Sequence, residues 1–163
     1  MKLNNCVPVL FVKDAKIAQK FYETVLGLTV KADFGGLNIV FEEGFALWQI
    51  MDVNMIPQRL GMDNITNRML TPRFELAFET DDLNAVYQKL KENETIFLHE
   101  INEELWGQQN VRFYDPDGHL VEVGEAMPVF LRRIYEEENK DLEATSKRAY
   151  TPVEILKNIL EVV

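Results

Sequence analysis

The sequence predicts an α+β fold made of two βαβββ units followed by a helical extension. Three observations predict it. Each half carries one amphipathic helix among short β-branched and aromatic runs, the order of elements repeats, and the periodicity after Glu125 is helical.

In the first half, residues 7–12 (VPVLFV) read as a strand, and Asp14 stands where it can cap a helix. Ile17, Ala18, Phe21 and Val25 then recur at helical spacing, and Gly27 can take the left-handed conformation that ends the helix. Three strand-like runs follow at 28–32, 37–42 and 45–50, separated by Gly35-Gly36 and Gly44.

The second half repeats this order. Phe74, Leu76 and Phe78 alternate with Glu75, Ala77 and Glu79, the period-two pattern of a half-buried strand. Asp81-Asp82 precedes a helix whose stripe is Leu83, Val86, Tyr87 and Leu90, and strand-like runs follow at 95–99, 105–114 and 119–123. Asp115-Pro116-Asp117-Gly118 makes a tight turn, because proline presets φ and glycine accepts positive φ. Asp14 and Asp82 stand 68 apart and Gly44 and Gly118 stand 74 apart, so the halves match in element order with one small insertion.

The boundaries that follow are modules at 5–50 and 72–125 within a domain 1–125, a connector 51–71, and a helical extension 126–163. The connector, with Met51, Met55, Met62 and Met69, reads as a short helix plus loop whose methionines pack or touch a ligand. Two helices are expected after Glu125. The second opens on Thr151-Pro152-Val153-Glu154, a capping-box pattern, and has an apolar face of Val153, Ile155, Leu156, Ile159 and Leu160.

The stretch VPVLFVKDAKIAQKFYETVLGL resembles the opening of the vicinal oxygen chelate superfamily, the glyoxalase, bleomycin-resistance and extradiol-dioxygenase type. FELAFETDDL and WGQQNVRFYDPDGHLVEVGE resemble its second half, so the likeness covers most of residues 5–125. The resemblance implies paired modules forming a curved mixed sheet around a cleft, with helices outside, as a homodimer. It also implies four metal-ligand positions, which in this chain are Val7, Trp48, Glu75 and Glu122.

Two of those positions are carboxylates and two cannot bind a metal, which leaves most of a coordination shell to water. Gln49 could stand in for Trp48 only through a one-residue slip, which would reverse the strand face. No cofactor is therefore expected, with a divalent ion on Glu75 and Glu122 as the alternative.

Strand parity on this fold places Val9, Phe11, Trp48, Glu75, Trp106, Gln108, Asn110, Arg112, Tyr114 and Glu122 on the cleft side. An apolar and aromatic cup with a few polar groups suits a small molecule, and aromatic faces beside carboxylates suit a cationic or planar one. Arg112 either joins that pocket or pairs with Glu75 or Glu122 to neutralise charge in a filled interior.

Composition narrows the remaining classes. Hydrophobic residues make up 47% of the chain, enough for a packed interior. The net charge of −10 repels phosphate backbones and anionic lipid, so neither nucleic acid nor membrane is an expected partner. The single cysteine, Cys6, lies in an apolar stretch and reads as a buried, inert thiol.

No segment is apolar over the length of a membrane span, and the first residues lack an apolar leader core, so a cytoplasmic location is expected. His99 and His119 are the only histidines, which rules out a histidine-rich catalytic site. Both read as structural or solvent-facing.

The run DLEATSKRAYTPVEILKNIL has the cadence of a helix-turn-helix. Residues 126–163 nevertheless carry six basic against seven acidic groups, without the basic surplus of a DNA reader. Packing against the domain or a dimer partner is the expectation. The functions that emerge are metal-independent small-molecule binding, a metal-assisted lyase or isomerase using Glu75 and Glu122, and a ligand-responsive regulator acting through the C-terminal helices.

Overall fold

The computed structural model describes residues 7–63 and 74–162, which divide into two compact units. Cys6, Met69 and most of the connector's second half lie outside the described residues.

The first unit comprises the described residues up to Phe74 together with the turn Tyr114–His119. Its elements are β1 (Val9–Val12), α1 (Ala15–Lys20), β2 (Val30–Phe34), β3 (Asn38–Phe41), β4 (Ala46–Gln49) and α2 (Met55–Leu60). The sheet order is β1-β4-β3-β2, with β1 parallel to β4 and the other pairs antiparallel.

Asp14 caps α1 as its position predicts, accepting from the backbone N–H groups of Lys16 and Ile17. Beyond Lys20 the helix widens into a π-helical turn over Phe21–Val25, and Gly27 then takes φ +73°. That turn buries Tyr22 against Phe41 and Phe45, whose rings stack 4.7 Å apart. The Tyr22 hydroxyl donates to buried Asp115 at 2.9 Å, fixing the Asp-Pro-Asp-Gly turn to this core.

The second unit comprises Glu75–Phe113 and Leu120–Val163, so the C-terminal helices belong with the second module. Its elements are β5 (Glu75–Thr80), α3 (Leu83–Glu92), β6 (Ile96–Glu103), β7 (Gln109–Tyr114), β8 (Leu120–Glu125), α4 (Met127–Glu137), α5 (Leu142–Ala149) and α6 (Val153–Leu160). The sheet order β5-β8-β7-β6 repeats that of the first unit, again with the outer strand parallel to the last. Leu76, Leu83, Leu90, Val111, Phe113, Val121 and Val123 form the buried layer.

Strand β6 runs to Glu103 instead of stopping near residue 99, and residues 105–107 are a turn instead of strand. Gly107, at φ +87°, makes that turn. Trp106 and Gln108 therefore precede β7.

The extension holds three helices, not the two expected. Asn139 and Lys140 adopt left-handed conformations without a glycine, and Asp141 then caps α5 through the N–H groups of Glu143 and Ala144. The capping box at Thr151 does not form. Pro152 is the N-cap of α6 without a side-chain bond, and the Thr151 hydroxyl donates to the carbonyl of Ala149 instead. Phe130, Leu131, Ile134, Ala149, Leu156 and Leu160 make a core of their own, while Ile155 stays exposed.

Two arginines join these helices to the β6–β7 turn. Arg133 grips Glu125 with Nε and Nη2, at 3.2 and 2.7 Å, and donates to the carbonyl of Gly107 at 2.6 Å. Arg148 reaches Glu103, Glu137 and Glu138. Arg148, in the last turn of α5, is thus committed to the chain's own carboxylates, and the extension packs with the second module.

Candidate functional site

On β7 Val111 and Phe113 are buried in the layer shared with Leu83 and Leu90, and alternation turns Asn110 and Arg112 to the opposite face. There the Arg112 guanidinium gathers groups from three strands and a turn. Its Nε donates to Glu75 Oε2 at 3.0 Å and its Nη1 to Glu104 Oε1 at 2.7 Å, while Nη2 is ion-paired with Glu122 Oε2. Nη1 also lies 3.4 Å from His99 Nε2. Asn110 is fully buried, and its Nδ2 donates to Glu104 Oε1 at 2.9 Å and to Glu122 Oε2 at 3.2 Å.

Three carboxylates around one guanidinium leave a formal charge of −2 when His99 is neutral. The titrations follow from this arrangement. Burial opposes the charge on Arg112, but bonds from Glu104 and Glu75 and the attraction of Glu122 outweigh it and raise its pKa. Hydrogen bonds from Arg112 and Asn110 hold Glu104 below the usual carboxylate range. Glu122 moves the other way. Burial raises its pKa, and repulsion by Glu75 and Glu104 adds to that, against the pull of Arg112. Two neighbouring carboxylates thus differ in proton affinity, and Glu122 is the one that takes up a proton more readily.

Of the residues expected in a pocket, the second unit brings together Glu75, Arg112 and Glu122, realising the pairing of Arg112 with both glutamates. Trp106 and Gln108 are placed differently. From the turn before β7, Trp106 Nε1 donates to Gln108 Oε1 at 3.1 Å, and Gln108 Nε2 donates to the Glu125 carbonyl at 2.8 Å. Gln108 is thereby held over Gly124 of β8, where a side chain on that glycine would collide with it.

In the first unit, Phe11 and Trp48 are register partners with ring centroids 5.9 Å apart, beside partly exposed Val9. Gln49 is not a substitute for Trp48, since its Oε1 accepts from the Ala15 N–H at the start of α1. Half-buried Tyr114 belongs to this unit.

Glu104 and His99 join the arginine cluster without having been expected there. Gly107 was the available signal for Glu104, since a turn at that glycine makes residues 104 and 108 a hairpin pair; the Glu104 N–H donates to the Gln108 carbonyl at 2.9 Å. His99 escapes strict alternation. Phe97 and Glu100 both reach Tyr87 on α3, yet His99 between them faces Arg112. His119 is also less exposed than its position after the turn suggested. Its Nδ1 is 2.8 Å from Asp115 Oδ2; burial lowers its pKa, but the bond and charge of Asp115 outweigh burial and raise it.

The four family ligand positions do not fit a metal ion here. Val7 and Trp48 offer no donor, and Glu75 and Glu122 are both bonded to Arg112. Among the described residues no group of three or more histidine, cysteine, aspartate or glutamate side chains is arranged as a metal site.

Two four-stranded sheets of the same order, each with its first strand parallel to its last and one helix after the first strand, define the vicinal oxygen chelate class. The family model of the glyoxalase-like domain matches residues 5–128, and the chain belongs to that family.

Among solved structures, a protein of unknown function from Agrobacterium tumefaciens str. C58 is 31% identical, with 78% of this chain and 97% of that one covered and a TM-score of 0.65. A lactoylglutathione lyase from Agrobacterium tumefaciens is 23% identical, with 77% and 96% covered and a TM-score of 0.53. A glyoxalase/bleomycin resistance protein/dioxygenase from Nocardioides is 19% identical, with 77% and 84% covered and a TM-score of 0.55. The last two share the fold. Among curated proteins, none matches the chain. No helix of the described residues is long and apolar enough to cross a membrane.

Proposed function

We propose that this protein is a small-molecule-binding member of the glyoxalase-like family that works without a metal ion and, like bleomycin-resistance proteins, takes a cationic or aromatic ligand. The observation that carries this reading is the Arg112 guanidinium bonded to both Glu75 and Glu122. Those carboxylates are occupied by a cation of the chain's own, so a Lewis-acid role for an added ion has no free donors to rest on.

The residual charge of −2 on the cluster in the second unit favours a cation. Separately, in the first unit, the Phe11–Trp48 pair offers aromatic faces of the kind that hold planar or cationic groups. In this reading Glu122, Glu75 and Glu104 supply the negative field, and Arg112 keeps the three carboxylates from repelling one another.

The test is a titration with ethidium, a planar aromatic cation, read by fluorescence anisotropy, with fluorescein as an anion of similar size. Saturable binding of ethidium with a Kd on the order of 10 µM, and none of fluorescein, is expected. Absence of ethidium binding in apo protein, with binding restored by a divalent ion, would favour the metal-assisted lyase or isomerase instead.

A further inference from the structure

Helices α4–α6 lie almost wholly beyond the glyoxalase-like domain, whose match ends at residue 128, so what they add is no part of the family's cup. Beside the turn before β7 they leave an open cleft of about 350 Å³, lined by Leu105, Glu138, Ala144, Lys147, Arg148 and Tyr150, all within the second unit. Small-molecule sites begin at about this volume.

Two of the lining side chains are apolar or aromatic and open to solvent. Leu105 is 87% exposed and Tyr150 74%, and neither belongs to the core of the extension. One such residue on a surface is ordinary, but two from different elements lining one cleft can seat an apolar group. Tyr150 also sits at φ 49° and ψ 30° as the cap of α5, the left-handed position that glycine or asparagine usually fills. An aromatic residue in that conformation stores backbone strain with no core burial to offset it.

The charges lining the cleft are of both signs. Arg148 is held by Glu103, Glu137 and Glu138. Lys147 is not committed in this way, since the lysine ion pairs among the described residues are those of Lys16, Lys31 and Lys140. Glu138 accepts from Arg148 through Oε1, and its Oε2 has no donor among the described residues. A free ammonium and a free carboxylate oxygen beside Leu105, Ala144 and Tyr150 complement a molecule bearing a carboxylate, an ammonium and an apolar side chain.

We infer that this cleft is a second binding site, for a zwitterionic amino acid with an apolar side chain. Lys147 meets its carboxylate, Glu138 its ammonium, and Leu105 and Tyr150 its side chain. A simple anion would face Glu138 and a simple cation would face Lys147, so each is disfavoured where the zwitterion is matched. None of these residues takes part in the Arg112 cluster or the Phe11–Trp48 pair, so leucine binding and ethidium binding stand or fall separately.

The test is isothermal titration with L-leucine, and with 4-methylpentanoate, which lacks only the ammonium. Wild type is expected to bind one L-leucine with a Kd on the order of 100 µM, and 4-methylpentanoate at least about 10-fold more weakly. Lys147→Ala and Leu105→Ser, both at exposed positions, are each expected to weaken L-leucine about 10-fold with an unchanged circular dichroism spectrum. Tyr150→Gly separates binding from stability, because glycine relieves the left-handed strain. It is expected to keep or raise Tm and still weaken L-leucine about 10-fold.

No binding of L-leucine by wild type would overturn the site, as would binding indifferent to Lys147→Ala and Tyr150→Gly. Equal affinity for 4-methylpentanoate would overturn the zwitterion. Displacement of L-leucine by ethidium would put both in one pocket and overturn the second site.

Discussion

Replacing Arg112 by methionine keeps an unbranched side chain of similar length and removes the charge, leaving Glu75, Glu104 and Glu122 to face one another. At about 3 Å and an effective dielectric of about 20, each lost pair is worth roughly 5 kcal/mol before desolvation and side-chain entropy are subtracted. Truncating one partner of a fully buried pair costs about 3–5 kcal/mol net, whereas exposed pairs cost about 0–1 kcal/mol. The Arg112 and Glu122 side chains are 20% and 13% exposed, nearer the buried limit, and Glu75 is more open at 36%. A loss of about 3 kcal/mol at pH 7 follows, or roughly 6–12 °C in Tm for a chain of this size.

The pH dependence supplies the control. Glu122 already has a raised pKa from burial and from Glu75 and Glu104, and losing Arg112 removes a pull that lowers it. A carboxylate whose folded pKa lies above its unfolded value destabilises the fold increasingly as pH rises past the unfolded pKa, about 4.3. The deficit of Arg112→Met should therefore shrink as pH falls from 7 towards 4. Urea unfolding of both proteins across that range measures it. A deficit below about 1 kcal/mol at pH 7, or one that does not change with pH, would refute the role given to the guanidinium.

Gly107→Ala forces a side chain onto φ +87°, with its Cβ colliding with Ile134 Cδ1; the isoleucine tip can move but the backbone strain remains, so urea melts should show a loss of about 1–2 kcal/mol. Arg133→Met frees Glu125 and the Gly107 carbonyl, and limited proteolysis should then cut within residues 126–162 while the rest of the chain resists. His119, raised by Asp115 above its unfolded value, adds stability that is complete below the unfolded pKa and fades as pH rises through the folded one. His119→Gln should remove that slope on the alkaline side of about pH 6.5, and thermal melts that leave it intact would assign it to another group.

Asp14, Gly27, Asp82 and the Asp-Pro-Asp-Gly turn were legible because each acts through local backbone chemistry, and the structure uses each where its residue type predicts. Alternation at Val111 and Phe113 likewise placed Arg112 on the face it occupies. What escaped depends on choices that one-dimensional patterning does not contain. Glu104 reaches Arg112 because the chain turns at Gly107 and not later, and the same shift takes Trp106 and Gln108 off the strand. His99 was hidden by the break in alternation along β6. The additional C-terminal helix boundary rests on Asn139 and Lys140 adopting positive φ, which their types permit but do not announce.

The metal content of freshly purified wild-type protein, measured by mass spectrometry of the elements before and after a chelator, tests the central claim most directly. With Arg112 as the cation of the cluster, well under one divalent ion per chain is predicted, about 0.1 or less, and ethidium binding unchanged by the chelator. One tightly held ion per chain, lost together with ethidium binding on chelation or in Glu122→Gln, would contradict it.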